Sequence, residues 1–99
     1  MHLITISNLR QDADPYPDVQ KQLKEWYDIV RTAQWQNLID VQSTYRDAEA
    51  VSNFTIFNIK GNKYRLIVSI DYEEQLVYYK YFLTHADYDK EQWKNDPHY

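Results

Sequence analysis

The stretch Phe54-Thr55-Ile56-Phe57-Asn58-Ile59-Lys60-Gly61-Asn62-Lys63-Tyr64-Arg65 holds the only glycine of a 99-residue chain and sets three cations among strand-forming side chains. Gly61-Asn62 is a two-residue hairpin signal, because glycine and asparagine tolerate the positive φ angles of tight primed turns. Side chains alternate along a strand, so Phe57 and Ile59 point one way and Asn58 and Lys60 the other. The following strand continues the pattern, with Tyr64, Leu66, Val68, Ile70 and Tyr72 on an apolar face opposite Lys63, Arg65, Ile67, Ser69 and Asp71. Joining the apolar sets in one core gathers Asn58, Lys60, Lys63 and Arg65 on the other face, and residues 54–70 contain no acidic side chain. The hairpin is therefore predicted to present a compact cationic surface.

Upstream of it, Leu3-Ile4-Thr5-Ile6 is a short β-branched run, and Ser7 suits the N-cap of a brief helix through Leu9. Pro17 fits the first turn of a longer helix to about Arg31, whose Val19, Leu23, Trp26, Tyr27 and Val30 recur at helical spacing. A third short helix is predicted over Asn37-Leu38-Ile39-Asp40-Val41, with Trp35 and Tyr45 available to pack on the sheet. Downstream, Glu73-Glu74-Gln75 reads as a turn and Leu76 to Leu83 as a strand carrying one cation, Lys80. Thr84 to Asp89 reads as strand passing into a capped helix, and residues 91–99 as a loose tail.

Ninety-nine residues suit one domain, 1–99, large enough for one core, and no apolar run approaches the ~20 residues of a membrane span. The absence of cysteine excludes disulfides and thiol catalysis, and the N-terminus lacks the pattern of a secretory signal, which places the chain in the cytoplasm. A single glycine excludes a phosphate-cradling Gly-rich loop. Net charge −4 argues against coating nucleic acid by global attraction, but the charge is divided. Residues 1–53 carry 5 basic and 8 acidic side chains, whereas residues 54–90 carry 5 of each, with four of those basics between Lys60 and Lys80. The second half is the candidate nucleic-acid face.

Four separated segments, Trp35-Gln36-Asn37, Asp40-Val41, Phe57 to Leu66 and Thr84-His85-Ala86-Asp87-Tyr88-Asp89, resemble the HigB-type toxins of bacterial type II toxin–antitoxin modules. The resemblance runs from Met1 to about Lys90 in order, spacing and residue type. It implies an α+β, RelE-like fold, with N-terminal helices on a mainly antiparallel four-stranded sheet and a short C-terminal helix. It further implies an mRNA endonuclease acting in association with the ribosome, without cofactor or metal, and restrained by a helix-turn-helix, HigA-like antitoxin.

The residues supply the chemistry such an enzyme requires. Attack of an RNA 2′-hydroxyl on the adjacent phosphate needs a base, an acid for the leaving oxygen and cations around the phosphorane. His85 suits acid–base work because imidazole ordinarily titrates near neutrality. Lys60, Arg65 and Lys80 suit a phosphate clamp, Tyr88 a group that orients the 2′-hydroxyl, donates a proton or stacks on a base, and Asn58, Asn62 and Lys63 contacts to RNA. The resemblance carries the same roles onto Lys60, Arg65, Lys80, His85 and Tyr88, with Asn58 and Asn62 in support.

Ordinary structural roles compete with these assignments. Lysines beside a turn are commonly solvated, a strand arginine commonly pairs with a carboxylate such as Asp71, and a histidine at a strand end commonly caps or packs. Lys80 and His85 are an odd number of residues apart, so a regular strand would place them on opposite faces; both serve one site only if the strand ends or bulges near Thr84. The chemical rival is a metal held by His85, Asp87 and Asp89, disfavoured by the lack of a second nearby histidine or any cysteine. The functional rival is a non-catalytic RNA- or partner-binding module of the same fold.

Overall fold

A computed structural model describes residues 1–99 as β1 (His2–Ile4), α1 (Ile6–Ala13), a 3-10 turn (Pro17–Val19), α2 (Gln20–Thr32), α3 (Leu38–Thr44), β2 (Glu49–Val51), β3 (Phe54–Ile59), β4 (Tyr64–Asp71), β5 (Leu76–Thr84), α4 (His85–Asp89) and a second 3-10 turn (Gln92–Asn95). The strands form one sheet in the order β1-β5-β4-β3-β2, antiparallel except where β1 lies parallel to β5. The fold is thus α+β and RelE-like, as the resemblance implied, with five strands in place of four. The strand missed by sequence reading is β2: Glu49-Ala50-Val51 is too short for a periodic signal and becomes a strand through pairing with Phe54 to Ile56.

Alternation puts Phe57 and Ile59 of β3 and Tyr64, Leu66 and Val68 of β4 on the face covered by α1, α2 and α3, as predicted. Trp26 of α2 sets its ring edge-on to Phe57 with centroids 5.6 Å apart, and Tyr45 meets the same ring at 5.3 Å. Each such pair adds about 0.5–1.5 kcal/mol to the burial of its surface. The N-terminal ammonium of Met1 donates to the carbonyls of Val30 (3.1 Å), Arg31 (3.2 Å) and Ala33 (2.7 Å), placing a cation at the carbonyl-rich end of α2.

Several boundaries move. The first helix begins at Ile6 and runs to Ala13; its cap position is Thr5, in left-handed conformation (φ 61°), so Ser7 lies inside the helix. Pro17 opens a 3-10 turn and the α-helix proper starts at Gln20. Asn37 caps α3 by accepting from the Asp40 N–H at 3.0 Å, which carries that helix on to Thr44. Between β3 and β4 the connection is Lys60 to Lys63, and positive φ falls on Lys60 (53°) and Gly61 (63°), one position earlier than predicted. A Cβ on Gly61 would meet nothing within 4 Å, so glycine is there for its backbone angle alone.

A bulge breaks the parity of β5, but it lies at Lys80 rather than near Thr84 and does not bring Lys80 to His85. Ile67 pairs with Tyr81 while Val68 pairs with Tyr79, which leaves Lys80 as the extra residue of β5. Tyr79 and Phe82, three apart, therefore both join the helix-side core, whereas Tyr81 and Leu83 face the other way. The strand then ends at Thr84, whose hydroxyl accepts from the Asp87 N–H at 3.2 Å and starts α4.

The other face of the sheet is not open, and the C-terminal segment is not a loose tail. Trp93, 3% exposed, sits on Phe54, Ile56 and Ile67 in a second small core, joined at its edge by Tyr81, Tyr88 and Tyr99. Polar bonds hold the segment down: the Tyr81 hydroxyl donates to Asp96 at 2.7 Å, and the Asn53 amide donates to the Tyr99 carbonyl at 3.1 Å. The physical reason is the apolar character of Phe54, Ile56 and Ile67, which a solvated cationic face would have left in water.

Candidate active site

Arg65 is the centre of the site. It lies on β4 between Asn58 of β3 and Leu83 of β5, and is 8% exposed. Its Nη1 donates to the Asn62 carbonyl (2.9 Å) and to the Tyr64 carbonyl (3.3 Å), and its Nη2 donates to Asn62 Oδ1 (3.1 Å). The same Nη2 stands 3.3 Å from Nδ1 of His85, and the guanidinium carbon lies 5.1 Å from the centroid of the Tyr88 ring. No carboxylate pairs with it: Asp71, the ordinary structural partner weighed above, instead accepts from the backbone N–H of Glu74. A nearly buried cation is thus held in place by neutral groups, with its charge uncompensated.

His85 reaches this cation because its own backbone N–H donates to the Lys63 carbonyl (2.9 Å), tying the start of α4 to the β3–β4 turn. On its far side Nε2 is 3.1 Å from Oδ2 of Asp89, one helical turn on. Tyr88 stacks on Trp93 with centroids 5.1 Å apart and planes 12° from parallel, and its carbonyl accepts from the Trp93 indole N–H at 3.0 Å. Burial and the negative charge of Glu49 raise the Tyr88 hydroxyl above the usual phenol range, with Arg65 opposing them. Tyr88 is accordingly protonated at neutral pH.

The sequence-selected residues divide into those the fold brings together and those it separates. Arg65, His85, Tyr88 and Asn62 form one cluster, within which Asn62 positions the guanidinium. Asn58 is Arg65's neighbour across the strands. Lys60 lies in the exposed turn, where its backbone N–H donates to Gln22 Oε1 and its ammonium has no hydrogen-bond or ion-pair partner. Lys63 leaves the predicted cationic face: its Nζ bonds Asp18 at 3.0 Å on the helix side and lies 5.5 Å from the Tyr64 ring centroid. That hydrogen bond lowers the Asp18 pKa and raises that of Lys63. Lys80 lies away from the cluster, its Nζ 3.1 Å from His98 Nδ1 and 5.7 Å from the Phe54 centroid.

His85, Asp87 and Asp89 form no three-ligand cluster, and Asp87 turns to Lys90 at 3.3 Å. A groove of about 380 Å³ between α1 and α2, lined by Ile6, Leu9 and Tyr27 among others, contains no acid–base group suited to the chemistry. Sequence reasoning missed two residues that shape the site. Trp93 was discounted as part of a tail, although it is the only tryptophan in the second half of the chain. Asp89 was weighed only as a metal ligand, although its spacing of four from His85 on a helix was legible.

Comparison with known proteins gives the fold a family. Residues 19–91 match the family described as "HigB_toxin, RelE-like toxic component of a toxin-antitoxin system". The "mRNA interferase toxin HigB" of Escherichia coli (strain K12) is 25% identical over 95 residues, covering 90% of this chain and 88% of its own. The "mRNA interferase HigB" of Shigella flexneri matches at the same identity and coverage. The matched segment contains every residue of the cluster and stops just short of Trp93.

Proposed function

The chain belongs to the HigB_toxin family of RelE-like toxic components of toxin–antitoxin systems, and from that premise we propose that it is a metal-independent endoribonuclease that cleaves mRNA. The observation that carries this reading is Arg65, a residue 8% exposed whose hydrogen-bond partners are all neutral. Such burial costs free energy unless an anion completes the site, and a phosphate that becomes a phosphorane is that anion. The planar fork matches two phosphate oxygens.

The reaction follows from the neighbours. The 2′-oxygen attacks the adjacent phosphorus; its O–H bond breaks as the proton passes to Nδ1 of His85, and a P–O2′ bond forms. The P–O5′ bond breaks, and the departing 5′-oxygen takes a proton from the Tyr88 hydroxyl, which solvent restores. The products are a 2′,3′-cyclic phosphate and a 5′-hydroxyl. Arg65 turns its Nη2 from His85 to the phosphate as RNA enters, which frees Nδ1 to act. Lys60 lies at the rim, where an unpaired ammonium attracts the RNA backbone. Lys80 contributes to RNA attraction outside the reacting centre, whereas Lys63, paired with Asp18 on the helix side, does not.

The test is cleavage of mRNA in excess chelator, with and without ribosomes, by the parent and by His85→Ala. Scission in both states of the chelator, with 5′-hydroxyl ends and dependence on His85, is the expected result. RNA binding without scission would make the chain a binding module. Loss in chelator, reversed by a divalent ion, would hand the chemistry to His85, Asp87 and Asp89 as ligands.

As the toxic component of a pair, the chain requires an antitoxin, which we take to be a helix-turn-helix protein that covers the Arg65 site or the acidic N-terminal half. Co-expression should give a stable complex and relieve growth arrest; equal toxicity with and without that protein would contradict the assignment.

A further inference from the structure

The imidazole of His85 is held from both sides, and the two holds together fix its protonation. A guanidinium has only donors, so Arg65 Nη2 at 3.3 Å requires Nδ1 to be the acceptor. The ring proton is then on Nε2, which donates to Oδ2 of Asp89 at 3.1 Å. Asp89 has no other ion-pair or hydrogen-bond partner. It is also the last residue of α4, where the exposed carbonyls of the helix disfavour negative charge. Helix formation gives no reason for an acid there; the histidine does. Asp87 is the contrast, an acid in the favourable first turn of α4 that pairs with Lys90.

We propose that Asp89 is the positioning residue of the cleavage reaction: it holds His85 in the Nε2–H tautomer, aims the Nδ1 lone pair at the 2′-hydroxyl, and stabilises the imidazolium that forms. The inference rests on the endoribonuclease reading given above and names a residue that acts through His85 rather than on RNA. As the 2′-hydroxyl proton arrives on Nδ1, positive charge spreads over the ring and the Nε2–H···Oδ2 hydrogen bond becomes charge-assisted. The charged groups in contact with the ring are Arg65 of β4 and Asp89 of α4. Of these, only Asp89 supplies negative charge.

The test combines rate and spectroscopy on the full chain. Asp89 is well exposed, so Asp89→Asn should fold as the parent does, with circular dichroism and melting as controls. Single-turnover cleavage at saturating RNA should fall about 3- to 10-fold in Asp89→Asn, the range open to a half-exposed charge pair. Asp89→Glu should recover most of the rate, and Asp87→Asn should leave the rate unchanged. Nitrogen-15 spectra of the ring should show the Nε2–H tautomer in the parent and a mixture in Asp89→Asn. A folded Asp89→Asn with the parent's rate and ring spectrum, alongside an inactive His85→Ala, would overturn the proposal and leave the endoribonuclease reading intact. An active His85→Ala would overturn both.

Discussion

The two faces of the sheet are built from the same strands and do opposite things. Toward α1, α2 and α3 the strands present hydrocarbon and aromatic rings, and the buried side chains form one continuous core. Toward α4 and the C-terminal segment the apolar cover is small, and beside it stand a nearly buried guanidinium without a counter-ion, a half-exposed histidine and a protonated tyrosine. The first face leaves one neutral donor, the buried indole N–H of Trp26, without a partner, but it buries no charge. The second leaves a charge unanswered, and that imbalance is the feature an anionic substrate completes. Stability and chemistry are thereby separated by the thickness of one sheet.

Substitutions on the two faces should separate in the same way. The largest effect on stability is expected at Phe57, which contacts both Trp26 and Tyr45. Phe57→Ala should cost about 3–5 kcal/mol by denaturant unfolding, with cleavage lost only in proportion to unfolded protein. A smaller loss, about 3 kcal/mol, is expected for Trp93→Ala on the second face. There, however, the folded fraction should also cleave more slowly, because Tyr88 loses the ring it stacks on. If Trp93→Ala altered stability alone, the second core would be a mere cover and the comparison would break.

The smallest effect belongs to Lys63. Its bond to Asp18 is exposed to water, so Lys63→Ala should move the melting temperature by less than about 2 °C and leave the maximal cleavage rate alone. The Asp18 carboxyl has its pKa lowered in the folded state, so the pair's contribution is present above the unfolded carboxyl range, near pH 4, and is lost as pH falls through the folded value. A melting series from pH 7 to pH 3 on the parent and Asp18→Asn should converge at the acid end; divergence there would contradict the assignment of this pair.

How much of this was legible depended on whether a residue's neighbours were local. The alternation of Phe57, Ile59, Tyr64, Leu66 and Val68 fixed one face of the hairpin, and the cluster of Arg65, His85 and Tyr88 came from residue types that the chemistry requires. What failed was set by long-range contact. Lys63 was assigned by strand parity, but a turn lysine has a flexible stem, and Asp18, 45 residues away, determines where its charge goes. Lys80 lies at a bulge whose position depends on how β4 and β5 register, which neither strand's sequence states alone. Residues 91–99 looked loose because they are mostly polar, yet one tryptophan meeting Phe54, Ile56 and Ile67 is enough to seat them. The apolar character of those three residues on a face assigned to cations was the overlooked signal.

The central claim is that Arg65 is kept buried and uncompensated for the sake of the transition state. Single-turnover cleavage at saturating RNA by Arg65→Ala, read beside its melting temperature, tests it directly. The expected rate loss is about 10²–10³-fold, the usual cost of removing a preorganised charge donor, with a melting temperature equal to or above that of the parent. A folded Arg65→Ala that cleaves at the parental rate would contradict the account.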